Sequence, residues 1–339
     1  ASWTGNLVPD GANVLAVSVL NGATVTYDLA APTTVQAINM TGSFTMSTGS
    51  LAVTGSLNTP QFTQTGGALT GTGSLTVTNG FSQSAGSIAM DGAVSITQAS
   101  GNLAVGSVTA PSITLQAPNG TVTQTAALSS TGLLQVSANG GIDLSNANNA
   151  VRQFAASNAG SGNVRLVNTG ALDVRGVSVA AGTVDIQTHS PLSVSSPVTA
   201  SGNITLAALT PDGTSNITIN APVTSTAGGI SIQAYNNFIQ NSGLNAALGI
   251  DVSTIAGSML FGPGAFSVGN PVSYSVNGVA YMPPWIASSV SGGANDFVVT
   301  FLDQFLAVLD TPLGAMDDPL GLRLRGQEGV VVEGEICKP

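Results

Sequence analysis

The chain of 339 residues is short of charge, sulfur and aromatic rings, and each shortage excludes something. Charged residues make up 6% of it, against roughly a quarter in an ordinary soluble domain. Six Lys and Arg stand against 16 Asp and Glu, a formal charge of −10, and Lys338 is the single lysine. A nucleic-acid binder needs a basic stripe to displace counterions from phosphates, so nucleic acid is excluded as a partner. A polybasic hold on anionic membrane is excluded for the same reason. No apolar run reaches the roughly 18 residues that span a bilayer, which argues against membrane insertion. Cys337 is the only cysteine, so no disulfide closes within the chain. It leaves a free tail thiol, the simpler reading, or a covalent link to another chain.

These scarcities do not describe a disordered chain, because disorder couples low hydrophobicity to high charge. Hydrophobic residues make up 43% here, and 42 residues are glycine. Most of the remainder is Ser, Thr, Asn and Gln. Small, β-branched and turn-forming residues are the mixture that short strands and tight turns require. The chain opens at Ala1-Ser2-Trp3 without Met or leader. Small residues are what processing leaves, so a secreted product with its export signal removed is the expectation.

A repeat organises the middle. Phe62-Thr63-Gln64-Thr65-Gly66-Gly67-Ala68-Leu69 recurs 19 residues later as Phe81-Ser82-Gln83-Ser84-Ala85-Gly86-Ser87-Ile88. Gly73-Ser74-Leu75-Thr76-Val77-Thr78 recurs at the same offset as Gly92-Ala93-Val94-Ser95-Ile96-Thr97. An apolar–polar–apolar element then continues at Ile113/Leu115, Leu134/Val136, Val164/Leu166, Val184/Ile186, Ile204/Leu206, Ile230/Ile232 and Ile250/Val252, after an early instance at Leu51/Val53. Most offsets lie near 20. Longer ones, such as the 30 between Leu134 and Val164, read as coils with inserted loops.

Alternation with period two means strand, with one face buried. A single short strand cannot bury that face alone. If the chain returns to the same place every twenty or so residues, equivalent strands stack about 4.8 Å apart in parallel ladders. Leu75, Val77, Val94, Ile96, Ile113, Leu115, Leu134, Val136, Val184, Ile186, Ile204, Leu206, Ile230 and Ile232 then line a continuous core. Thr, Ser and Gln face outward. Asn79-Gly80, Asn119-Gly120 and Asn139-Gly140-Gly141 supply corners of positive φ. A hairpin-built sandwich also alternates, but its strands occupy inequivalent places and need no common offset. The expectation is an all-β solenoid with coils of about 20 residues.

The ends differ from the middle. Residues 1–40 are assigned to an N-terminal cap and first coils, 41–260 to the solenoid, and 261–339 to an irregular C-terminal cap or extension. That extension holds 11 of the 22 charged residues in its last 45. It contains Phe297–Leu309, read as a strand running into a short apolar helix, and the strand-like Gly329–Ile336. Phe301, Phe305, Val330, Val331, Val332 and Cys337 are the candidate contacts between subunits, by strand addition to a neighbour's edge.

Chemistry is hard to find. The cations before residue 295 are Arg152, Arg165 and Arg175, and the acids are eight scattered Asp. Asp173 and Asp185, with Arg175 near, are the one pair that neighbouring coils could bring together as glycosidase-like carboxylates; isolated Asp at turns is the plainer account. His189 is the sole histidine, too few for a typical zinc site. No Gly-x-Ser sits in a strand–turn–helix elbow, and no Gly-rich stretch leads into the Lys of a phosphate loop. No catalytic, cofactor-binding or metal residue is assigned. The chain reads as a non-enzyme without cofactor.

The duplicated Phe-Thr-Gln block, Gly-Asn-Ile-Thr-Leu at 202–206, Asn-Ile-Thr-Ile-Asn at 216–220 and Ala-Gly-Gly-Ile-Ser-Ile-Gln-Ala at 227–234 resemble the repeats of filamentous haemagglutinin-like adhesins and other exported β-strand-repeat surface proteins of Gram-negative bacteria. The resemblance covers about residues 40–255. It implies a right-handed parallel β-helix, export, and roles in adhesion, biofilm or surface filaments. The expected partners are copies of the chain itself, head to tail, with glycans or other surface proteins as the alternative for a monomeric adhesin. A polysaccharide lyase or hydrolase on the same scaffold is the third reading.

Overall fold

A computed structural model describes residues 16–211 and 213–261, together with the backbone of 274–277, 279–281, 287–291 and 298–301. Every element among them is a strand. The strands stack in parallel as a β-solenoid of about 12 turns. One sheet of 18 strands and another of 10 wrap the core.

Each coil lays down three inward rows, and the repeat explains why. Phe62 pairs with Phe81, Gln64 with Gln83, Leu69 with Ile88, and Leu75 with Val94. The duplicated block is therefore one coil lying directly on the next. Phe44, Phe62 and Phe81 stack in one of these rows, with ring centroids 5.9 and 5.8 Å apart and planes inclined by 21° and 10°. A second row runs Leu57, Leu75, Val94, Ile113, Leu134. The third includes Leu69, Ile88, Val108 and Leu128. All fourteen aliphatic residues named as core-lining are buried. Side-chain periodicity of two puts Leu, Val and Ile inside, and the transverse hydrogen bonds hold each on its neighbour.

The spacing of 30 between Leu134 and Val164 has a different origin from the expected inserted loop. Val136 stacks on Ala156 and Ala156 on Val177. Val164 belongs to the other sheet, where Leu103, Val122, Ile142, Val164, Val184, Ile204, Ile230 and Ile250 form one column. The apolar–polar–apolar pattern thus passes from one face to another. Between Ile204 and Ile230 the lengthening is real, since both lie in one column.

Corners also depart from expectation. Gly80 lies within the strand Ser74–Met90, and among the three proposed sites only Gly141 has positive φ, at 117°. Gly120 serves a different need. A Cβ there would collide with the Gly101 carbonyl of the preceding coil. Gly162 combines both demands, with φ of 112° and the Gly140 carbonyl against the place a Cβ would occupy. At these two positions the carbonyl of the preceding coil occupies the space a side chain would need.

Not all Gln, Ser and Thr face water. Gln64, Gln83, Ser130, Asn149, Asn158, Asn168 and Thr188 are buried. Where a strand ends at a corner, backbone groups lose their ladder partners, and a side-chain amide replaces them. Gln83 Nε2 donates to Gln64 Oε1 at 3.0 Å, and Gln83 Oε1 accepts from Gly106 N–H at 2.8 Å. Asn149 ties three coils: Oδ1 accepts from Leu128 N–H at 2.8 Å, and Nδ2 donates to the carbonyls of Leu144 and Val167 at 3.0 Å.

Among the described residues the first strand of the stack is Ala16–Val19, which pairs in parallel with Thr33–Met40. At the other end, Tyr274–Val276 pairs with Ile250–Thr254 in parallel and then with Val279–Tyr281 in antiparallel. Ala287–Ser291 and Val298–Phe301 form a second antiparallel pair, and the first of these lies beside Met259–Phe261, the last strand of the larger sheet. The strand expected near Phe297 is present at Val298–Phe301. The helix expected after it, and Phe305, Val330, Val331, Val332 and Cys337, lie outside the described residues, as does the side chain of Phe301.

Two substitutions test this packing. Gly162→Ala is expected to lower stability by about 2–4 kcal/mol through combined strain and overpacking. Asn149→Ala should cost about 2–5 kcal/mol by orphaning three backbone groups, while Asn148→Ala, on an exposed neighbour, should stay within about 0.5 kcal/mol. Urea unfolding followed by circular dichroism reads all three; equal midpoints for the two Asn variants would contradict the bracing role.

Candidate functional site

Outside the core the solenoid presents columns of polar side chains. Thr97, Gln116, Ser137, Ser157, Ser178, Thr199, Thr224 and Asn245 follow one another on eight successive coils. On the smaller sheet the column Thr123, Asp143, Arg165, Asp185, Thr205, Ser231 carries the charges. Arg165 Nε reaches Asp185 at 3.2 Å from one coil to the next.

The carboxylates singled out from the sequence are kept apart. Asp173 lies in the strand Leu172–Ala181 of the larger sheet, in register with Gln153 and Ser193. Asp185 lies in the strand Val184–Thr188 of the smaller sheet. Each has its own arginine, Asp173 pairing with Arg175 and Asp185 with Arg165. A residue separation of 12 carries the chain around a corner, so the two face different directions and do not form a carboxylate pair. His189 is exposed at the turn that follows, its backbone N–H donating to the Asn168 carbonyl at 3.0 Å. Asp28, Asp91, Asp143 and Asp251 are exposed, and among the described residues no three His, Cys, Asp or Glu gather as metal ligands. Asp212 falls outside the described residues.

What the sequence did not point to is a shallow groove of about 420 Å³ on the larger sheet. Beside it the strand register is irregular on three successive coils, between Ser130 and Leu133, between Phe154 and Ala156, and between Val174 and Arg175. A bulge bends its strand and re-aims side chains. Thr131, Arg152, Gln153, Asp173, Ser193 and Thr218 line the groove among others. The last four occupy one outward column, so the groove runs along the stack. Only the bulges could have signalled it, and a bulge leaves no mark in a pattern of alternation already irregular.

Two stretches of the chain, residues 91–157 and 161–233, match a family described as "Repeats of unknown function (DUF5649)". Both lie within the stacked coils, and the chain is a repeat protein. It matches no curated protein and no solved structure.

Proposed function

We propose that the protein is a non-enzymatic structural rod of a bacterial cell surface, secreted and adhesive, built in the manner of the filamentous haemagglutinin-like proteins its repeats resemble. The observation that carries the reading is the unbroken outer column from Thr97 to Asn245, with hydroxyls and amides on every coil. Such a face offers donors and acceptors at regular intervals to a hydroxyl-rich partner, while Asp173 and Asp185, on other faces, are engaged with arginines rather than with each other.

Between a filament of stacked copies and a single rod, the C-terminal side favours the single rod. Head-to-tail growth needs a parallel edge left open at both ends. Here the strand following Tyr274–Val276 runs antiparallel to it, and a second antiparallel pair lies beside Met259–Phe261. A copy arriving there meets strands of the wrong direction for continuing the coil.

Immunogold labelling of intact producing cells, with serum raised against the purified chain, is expected to decorate the surface. Labelling that appears only after permeabilisation would end the surface reading. Sedimentation of the purified chain should give a discrete, elongated monomer across a hundredfold range of concentration. Growth into filaments with rising concentration would instead restore the head-to-tail reading.

A further inference from the structure

On the face that carries the smaller sheet, one coil step is built differently from the rest. Below it, Val25, Phe44, Phe62 and Phe81 follow one another in parallel ladders. Above it, the column from Leu103 to Ile250 is laddered at every step. Between the two, Leu103–Val105 lies beside the strand Ser74–Met90. Among the described residues no ladder joins them, and Leu103–Val105 is the edge of the smaller sheet. The coil is longer here, with 22 residues from Phe81 to Leu103 against 19 from Phe62 to Phe81. The additional length holds an exposed bend at Ser100, Gly101 and Asn102, with Gly101 at a φ of 78°.

Side chains stand in for the missing ladder. A backbone bond from Ala99 N–H to the Asn79 carbonyl, at 2.8 Å, precedes the gap. Then Gln98, from the upper coil, accepts from Phe81 N–H through Oε1 at 2.7 Å. Gln83, from the lower coil, accepts from Gly106 N–H at 2.8 Å. Elsewhere the same two coils are joined by backbone, Leu75–Val77 on Val94–Ile96 and Ser87–Ala89 on Ser107–Thr109. Two faces are laddered and the third is bridged by two amides. The stability of a stack is a sum over its coils and the contacts between successive coils. A step that lacks one of its ladders is where part of the stack can open while the rest stays folded.

We infer that the solenoid consists of two cooperative units joined at this step, and that residues 33–90 open together while residues 103–254 remain stacked. The unit before the step is the shorter, so its opening exposes less buried apolar surface than opening the other. Within it neighbouring coils are laddered, and the rings of Phe44, Phe62 and Phe81 stack through it, so its coils open as one. Such opening is independent of where the protein resides and of what its surface binds.

Hydrogen exchange of the full chain, read by mass spectrometry of peptic peptides, tests it. The slowest amides of residues 33–90 are expected to share one protection factor, lower by roughly tenfold or more than that of residues 103–254. The change should fall between Met90 and Leu103. Gln98→Ala removes the acceptor of Phe81 N–H and should lower protection in the first unit by about tenfold more, the effect of one buried bond, without altering the second. Gln135→Ala, at an exposed glutamine of the upper unit, should leave both as in the parent. Protection that continues level across residues 90–103, or that declines coil by coil towards the N-terminus, overturns the inference. So does Gln98→Ala if it lowers protection in both units equally or in neither.

Discussion

The structure depends on one constraint: each coil must present its backbone hydrogen-bonding groups, in register, to the coil before and the coil after. In a parallel stack those bonds run along the solenoid axis, and no coil satisfies them alone. Register then does the rest. Because side chains alternate, a slip of one residue would turn a whole aliphatic row outward, so the columns from Leu57 to Leu134 and from Leu103 to Ile250 fix the register as firmly as the bonds do. Corners are where the constraint is hardest to meet, because strands stop there while the coil spacing does not change. Glycine at 120 and 162 solves the problem of space, and the amides of Gln83, Asn149 and Asn168 solve the problem of unpaired backbone groups.

How much of this was legible in the sequence follows from how distinctive each signal is. The pairing of Phe62 on Phe81 could be read because two aligned elements share one offset and contain large residues rare elsewhere in the chain. Assignment of strands to faces could not. All three faces use the same apolar–polar–apolar element, so a change of face and an inserted loop give the same lengthened interval. On the face that continues from Leu134 and Val136, the next coil supplies Phe154, Ala155 and Ala156. An alanine in an inward place is a weak mark, and the stronger signal of Val164 on another face takes its place. Buried Gln and Asn were unreadable for a related reason. Their composition fits a solvated face, and only the position of the corner turns them inward.

The candidate site shows the same division. Sequence separation suggested that Asp173 and Asp185 could meet on adjacent coils, and the corner between them places them on different sheets. Asp173 does belong to a concave, partly charged place, but its neighbours there, Arg152, Gln153 and Ser193, come from the coils on either side. Partners at a separation of one coil are the ones a solenoid brings together. A search by sequence proximity tends to find residues around the corner instead.

Parallel in-register stacking also accounts for the scarcity of charge. Equivalent residues on successive coils lie about 4.8 Å apart, and two like charges at about 4 Å repel by roughly 1 kcal/mol even in bulk water. A repeated acidic position would accumulate that penalty at every step. Hydroxyls and amides carry none, since each can donate to one neighbour and accept from the other. Charge is tolerated where the sign alternates, as in the run Asp143, Arg165, Asp185. The constraint that aligns the core thus selects the surface as well: neutral, hydrogen-bonding and continuous. Arg152 interrupts that surface as an exposed charge that, among the described residues, has no ion-pair partner.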